Sequence, residues 1–188
     1  VSGFFSGLFG VGGGVILVPL LILILHFDQK RASGTSLAAV LPTVIAGSLS
    51  YAATGSVDWV AGASLGAGAV LGSLAGTALL HHLRAGLLRW LFIAFLLVVA
   101  ARLLFFVPDR AQEFDTGAPA VLLLIVVGFG IGVLSGLLGV GGGVILVPIL
   151  LIVFGVGDLV AKGTSLLMMI PTSLVGTVAN VRRGHVSL

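Results

Sequence analysis

One unit is written twice in this chain, and that constrains its fold more than any other feature. Ser6–Pro19 reads SGLFGVGGGVILVP and Ser135–Pro148 reads SGLLGVGGGVILVP, at an offset of 129 residues. The same offset lays Ala32-Ser33-Gly34-Thr35-Ser36-Leu37 over Ala161-Lys162-Gly163-Thr164-Ser165-Leu166. It also lays Pro42-Thr43 over Pro171-Thr172, Gly47 over Gly176 and Gly55 over Gly184. A duplication this long, without a gap, implies two like units packed on one another. Their substrate and coupling sites are then expected at the interface between the copies.

The solvent of these units is legible in the charges. The chain is 59% hydrophobic and only 8% charged, where soluble domains carry about 25% charged residues. All six acids (Asp28, Asp58, Asp109, Glu113, Asp115, Asp158) fall in the breaks between apolar runs. A bilayer imposes that segregation, because a charge at its centre costs several kcal/mol or more. The formal charge of +3 comes without a basic stripe interleaved with aromatics, which argues against nucleic acid as a partner. With no cysteine, disulfides and thiolate metal sites are excluded.

Apolar runs long enough to span a bilayer, about 20 residues each, are Ala32–Ala53, Val57–Leu80, Leu87–Val107, Pro119–Leu138 and Val160–Val181. Two shorter elements, Val15–Phe27 and Val144–Val156, each follow a glycine run. They fit half-helices, re-entrant segments or short spans in thin bilayer. The expected fold is therefore all-α: a polytopic transmembrane bundle of two homologous, inverted repeats with glycine-broken helices. Residues 1–116 hold the first repeat and a connecting loop, and 117–188 the second. Val1–Phe9 corresponds only to the tail of Pro119–Leu138, and nothing after Leu188 answers Trp59–Phe106. The chain thus reads as part of a protein of roughly 250 residues, extrapolated from the repeat. Val1–Leu25 lacks the basic start and cleavage site of a signal peptide.

Inversion rests on the displaced bases. Lys30-Arg31 precede the Ala32–Ala53 span, whereas Arg182-Arg183 end its counterpart, and the Pro108–Thr116 loop is acid-rich. If bases mark the cytoplasmic side, the two matching spans run in opposite directions. Five passes per repeat, counting the short element as one, give that result; four passes would make the repeats parallel. Lys162 opposes the inverted assignment, since it would lie outside. Gly62, Gly66, Gly68, Gly72 and Gly76, with Gly132 and Gly136, recur at spacings that let helix backbones approach closely in lipid.

Chemistry has few carriers here. The breaks Gly12-Gly13-Gly14 and Gly141-Gly142-Gly143 lack the GK[ST] of a phosphate loop. They serve either as flexible joints or as broken helices whose free N–H groups face an anion. Unwound backbone is tolerated in a membrane only inside protein or along a wet cavity. Thr35 and Ser36, repeated as Thr164 and Ser165, offer hydroxyls that either cap their helices or donate to a substrate. Pro42 and Pro171 kink their helices, as static bends or as hinges. Lys30, Arg31 and Lys162 act as topology signals or put positive charge beside an anion path. His26, His81, His82 and His185 all sit at span ends, and adjacent His81-His82 make a poor metal pair. No histidine lies within a span to activate a serine, and the apolar runs hold no carboxylate relay. Neither an enzyme, a cofactor nor a metal site is expected.

The doubled G-[LF]-x-G-V-G-G-G-x-[IL]-x-V-P-x-L run, followed by x-A-x-G-T-S-L, resembles the sulfite exporter TauE/SafE family over Gly7–Gly55 and Gly136–Gly184. The resemblance implies an inner-membrane permease of bacterial type, moving sulfite, sulfonates or related small anions. A passive anion channel of the same fold and a membrane scaffold that transports nothing are the other classes open to such a chain. On the transporter reading the expected substrate contacts are Gly12, Gly13, Gly14, Thr35, Ser36 and Pro42 with Gly141, Gly142, Gly143, Thr164, Ser165 and Pro171. The partners are a small anion and the lipid bilayer.

Overall fold

The structure, a computed structural model, describes residues 12–27, 29–79, 90, 97, 117–138 and 141–182. All of the expected span Leu87–Val107 but residues 90 and 97, the acid-rich loop, and His81, His82 and His185 lie outside the described residues. Six helices make up what is described: α1 (Gly14–Leu25), α2 (Gln29–Ala53), α3 (Trp59–Leu79), α4 (Ala118–Leu138), α5 (Gly143–Ile152) and α6 (Asp158–Arg182). Of these, α2, α3, α4 and α6 are long and apolar enough to cross a membrane, and α5 is short.

The ends of these helices are set locally. Gly55, in the left-handed region at φ 69°, closes α2. The Ser56 N–H reaches back to the Tyr51 carbonyl at 2.9 Å and the Gly55 N–H to that of Ala52 at 3.0 Å, the paired bonds of a Schellman turn. Asp58 then caps α3, its Oδ1 accepting the Ala61 N–H at 2.8 Å. The short helices end alike. Phe27 N–H bonds the Leu21 carbonyl and Val156 N–H that of Leu150, both at 3.2 Å. Between the partners sit His26 at φ 53° and Gly155 at φ 63°, both left-handed. His26 is thus a helix terminator. At α6, Asp158 in the first turn and Arg182 in the last oppose the helix dipole with the right signs.

Glycine decides how α3 and α4 meet. A side chain at Gly68, Gly72 or Gly76 would strike the backbone of Ile125, Phe129 or Val133, and one at Gly128, Gly132 or Gly136 that of Leu65, Ala69 or Ser73. The paired numbers rise together, so the two helices run parallel, backbone against backbone. The packing expectation for these glycines holds, and Gly128 joins them. Gly62 and Gly66 face α6 instead, against Leu167 and Pro171, again with numbers rising together. The outer sides of the helices carry exposed Leu71, Leu74, Leu122, Leu123, Val126 and Leu174, a surface suited to lipid rather than water.

The helices bearing the two G-T-S copies pack the other way. Gly47 of α2 faces Leu166 of α6, and Gly176 of α6 faces Leu37 of α2. As one number rises the other falls, so α2 and α6 are antiparallel. The glycine–leucine contacts are reciprocal at equivalent positions. Continued outward, this register puts the Arg31 end of α2 beside the Arg182 end of α6. Lys162, whose charge opposed this arrangement, is paired with Asp158 at 2.6 Å one turn earlier on its own helix.

Candidate functional site

Each short helix begins at a glycine break. Gly12 and Gly13 have φ of 74° and 72°, Gly141 and Gly142 of 85° and 79°, a run that only glycine adopts without strain. Gly12 lies beside Val40 and Gly142 beside Met168, while the far ends of α1 and α5 turn directly into α2 and α6. Each short helix therefore runs antiparallel to the long helix after it. Because α2 and α6 are themselves antiparallel, α1 and α5 point in opposite directions with their N-termini toward each other.

The two breaks meet at one side chain. A Cβ on Gly12 would strike the terminal methyl of Met169, with the sulfur at 2.9 Å, and a Cβ on Gly141 would strike the same methyl. All six break glycines are buried, and the residue capping each short helix is a glycine, with no side chain to offer its N–H groups. The first N–H groups of a helix have no acceptor within it, and each end carries roughly half a positive charge. Two such ends directed at one buried point favour an anion there.

The hydroxyls divide into occupied and unoccupied. Thr164 Oγ1 accepts the Asp58 N–H at 3.0 Å and so pins the α2–α3 turn to α6. Gly163 lies against that turn, near Tyr51 and Val57. Thr43 bonds back to the Val40 carbonyl at 2.6 Å, and Thr172 to those of Met168 and Met169 at 3.1 Å each. By contrast the buried hydroxyls of Ser36, Ser173 and Thr177 have no partner among the described residues. Thr164→Val should therefore lower stability by about 1–3 kcal/mol, because it strands a partly buried N–H. The melting temperature in detergent checks this, and an unchanged value would free the hydroxyl for substrate.

Of the residues expected at the site, the structure gathers Gly12, Gly13, Gly141 and Gly142 at the breaks, with Gly14 and Gly143 opening the short helices. Ser36 and Ser165 are fully buried on α2 and α6, and Thr35 is half-buried. Pro42 is exposed, and a side chain at Gly66 would begin 3.4 Å from Pro171; the two prolines stand at mid-register on the antiparallel pair, and Pro171 turns toward α3. Two residues were not anticipated. Met169 fills the space between the breaks, and Ser173 Oγ lies 4.0 Å from where a Gly141 side chain would start. Both depart from the repeat, standing where the first copy has Val40 and Val44, and that departure is their only sequence signal.

The model of the family described as "Sulfite exporter TauE/SafE" matches residues 1–188. "Probable membrane transporter protein YdhB" of Bacillus subtilis is 29% identical over 187 residues, covering 98% of this chain and 76% of that protein. "Probable membrane transporter protein YunE" of the same organism is 26% identical over 210 residues, with 100% and 77% covered. A "Probable membrane transporter protein" of Xylella fastidiosa is 32% identical over 192 residues, with 98% and 72% covered. No solved structure matches the chain. With four membrane-length helices and a match over its whole length, the chain is an integral membrane protein that belongs to the sulfite exporter TauE/SafE family of membrane transporters.

Proposed function

We propose that the chain is a carrier for small anions, moved by alternating access through a seat where the N-termini of α1 and α5 converge. The observation that carries this reading is the contact of both glycine breaks with Met169. Two positive helix ends and the Ser36 hydroxyl, unpartnered among the described residues, offer donors, the complement of a small oxyanion leaving its hydration shell. Sulfite, the substrate in the family's name, has that chemistry, and small sulfonates share it. Antiparallel copies explain how one seat serves two sides, since an exchange of conformation between them reverses the opening. The methyl of Met169 between the breaks fits a carrier, whose seat is closed in one state, better than an open pore.

Uptake of sulfite, sulfate and methanesulfonate into proteoliposomes tests the function. Saturation with counterflow is expected; conductance without saturation would make the protein a channel, and neither would leave a scaffold. The proposed inversion of the two repeats, residues 1–116 and 117–188, has its own test. The chain holds no cysteine, so single Lys30→Cys, Arg183→Cys and Glu113→Cys variants can be labelled cleanly. Residues 30 and 183 should be labelled from the cytoplasmic side and 113 from the other. Labelling of 30 and 183 from opposite sides would overturn inversion.

A further inference from the structure

On α6, Met169 and Ser173 stand one turn apart, on one face, and both reach Gly141. The equivalent pair on α2 is Val40 and Val44, both buried and both apolar. Ser173 thus puts a hydroxyl where α2 has only a valine, and Met169 puts there an unbranched side chain that touches both breaks.

Ser173 is fully buried, and its Oγ has no hydrogen-bond partner. A serine inside a helix has an easy remedy, a bond back to the carbonyl one turn earlier. Ser50 and Ser64 take it, as does Thr172 next door. Ser173 does not, and a buried hydroxyl left unpaired destabilises the empty protein. Alanine would pack there without that cost. A ligand that completes the hydroxyl's bonding accounts for the arrangement, and the N-terminus of the ten-residue helix α5 opens beside it. Met169 lies between that N-terminus and the first break. Its unbranched thioether turns about three bonds, so it can leave the space that its methyl fills.

We propose that Ser173 is a substrate-binding residue of the second break, donating its hydroxyl to an anion held on the N-terminus of α5, and that Met169 is the cover that swings aside to admit it. This rests on the anion-carrier reading above and makes the seat asymmetric despite the repeat.

The test uses the full-length protein in proteoliposomes, with sulfite, sulfate and methanesulfonate as probes, beside Ser173→Ala, Ser173→Thr and Met169→Val. For whichever probe the parent transports, Ser173→Ala should raise the half-saturating concentration about ten- to a hundredfold. The same variant should melt in detergent at the parent's temperature or above, because it removes an unpaired polar atom. Ser173→Thr keeps the donor and should stay within a few-fold of the parent. Met169→Val, copying the first repeat, should admit benzenesulfonate, and the parent should exclude it. If the parent transports a probe and Ser173→Ala transports it with unchanged half-saturation, the proposal falls while the carrier reading stands. A parent that moves none of the probes, in vesicles that retain folded protein, overturns both. A Ser173→Ala protein that melts lower than the parent would assign the hydroxyl a structural role and also overturn the proposal.

Discussion

Gly72→Val is expected to abolish the folded protein. A Cβ at Gly72 would collide with the carbonyl of Phe129 and lie 2.9 Å from the Val133 nitrogen. Both are backbone atoms of α4, so no rotamer change relieves the clash and the helices must part. Gly68 and Gly76 on the same helix, with Gly128, Gly132 and Gly136 on its partner, make the same close approach, and parting at one point loosens them all. Overpacking a tight contact costs about 1–3 kcal/mol even where side chains can yield, and here nothing yields. Lipid offers no hydrophobic drive to hold separated helices together, so close van der Waals packing carries the association. The control lies on the partner helix α4: Gly130 has nothing within 4 Å of an added Cβ, so Gly130→Ala should express and melt like the parent. Size-exclusion profiles and melting temperatures check both, and a well-folded Gly72→Val protein would refute the backbone contact.

Gly13→Leu and Gly142→Leu should each leave protein in the membrane but remove transport. Both positions are left-handed, at φ 72° and 79°, which costs an L-residue about 1–2 kcal/mol. At Gly142 the added carbon would also lie 3.1 Å from Ile131 and 3.3 Å from the Met168 methyl, with three more carbons to place. The least costly relief is to displace the start of the short helix. That moves the N–H groups and the dipole away from the point where α1 and α5 converge. Expression is measured by blot and transport by uptake in vesicles. Normal transport in both variants would reduce the breaks to connectors.

How much of this was readable in advance follows from the range of the forces involved. The breaks at Gly12-Gly13-Gly14 and Gly141-Gly142-Gly143, the long helices around Gly34-Thr35-Ser36 and Gly163-Thr164-Ser165, and the membrane as solvent all follow from local causes. These are glycine's backbone freedom, runs of apolar residues about 20 long, and charge confined to the breaks. The small-residue spacing of α3 was likewise enough to mark it as a close-packing helix. The opposite directions of α2 and α6 were readable only through their basic ends, with Lys162 pointing the other way.

What the tertiary structure alone decided is which distant groups meet. Thr164 and Thr35 are equivalent in the repeat, yet the hydroxyl of Thr164 is given to Asp58, more than a hundred residues away. Nothing in the G-T-S motif announces that partner. Ser173 and Thr172 are neighbours with the same chemistry; one bonds its own helix and the other is left unpaired. Met169 reads as one more apolar residue until both breaks are found against it. A hydroxyl's role depends on which acceptor packing brings within reach, and a side chain's on the space its neighbours leave. Local sequence determines helix, break and solvent, whereas those two quantities exist only once the helices have packed.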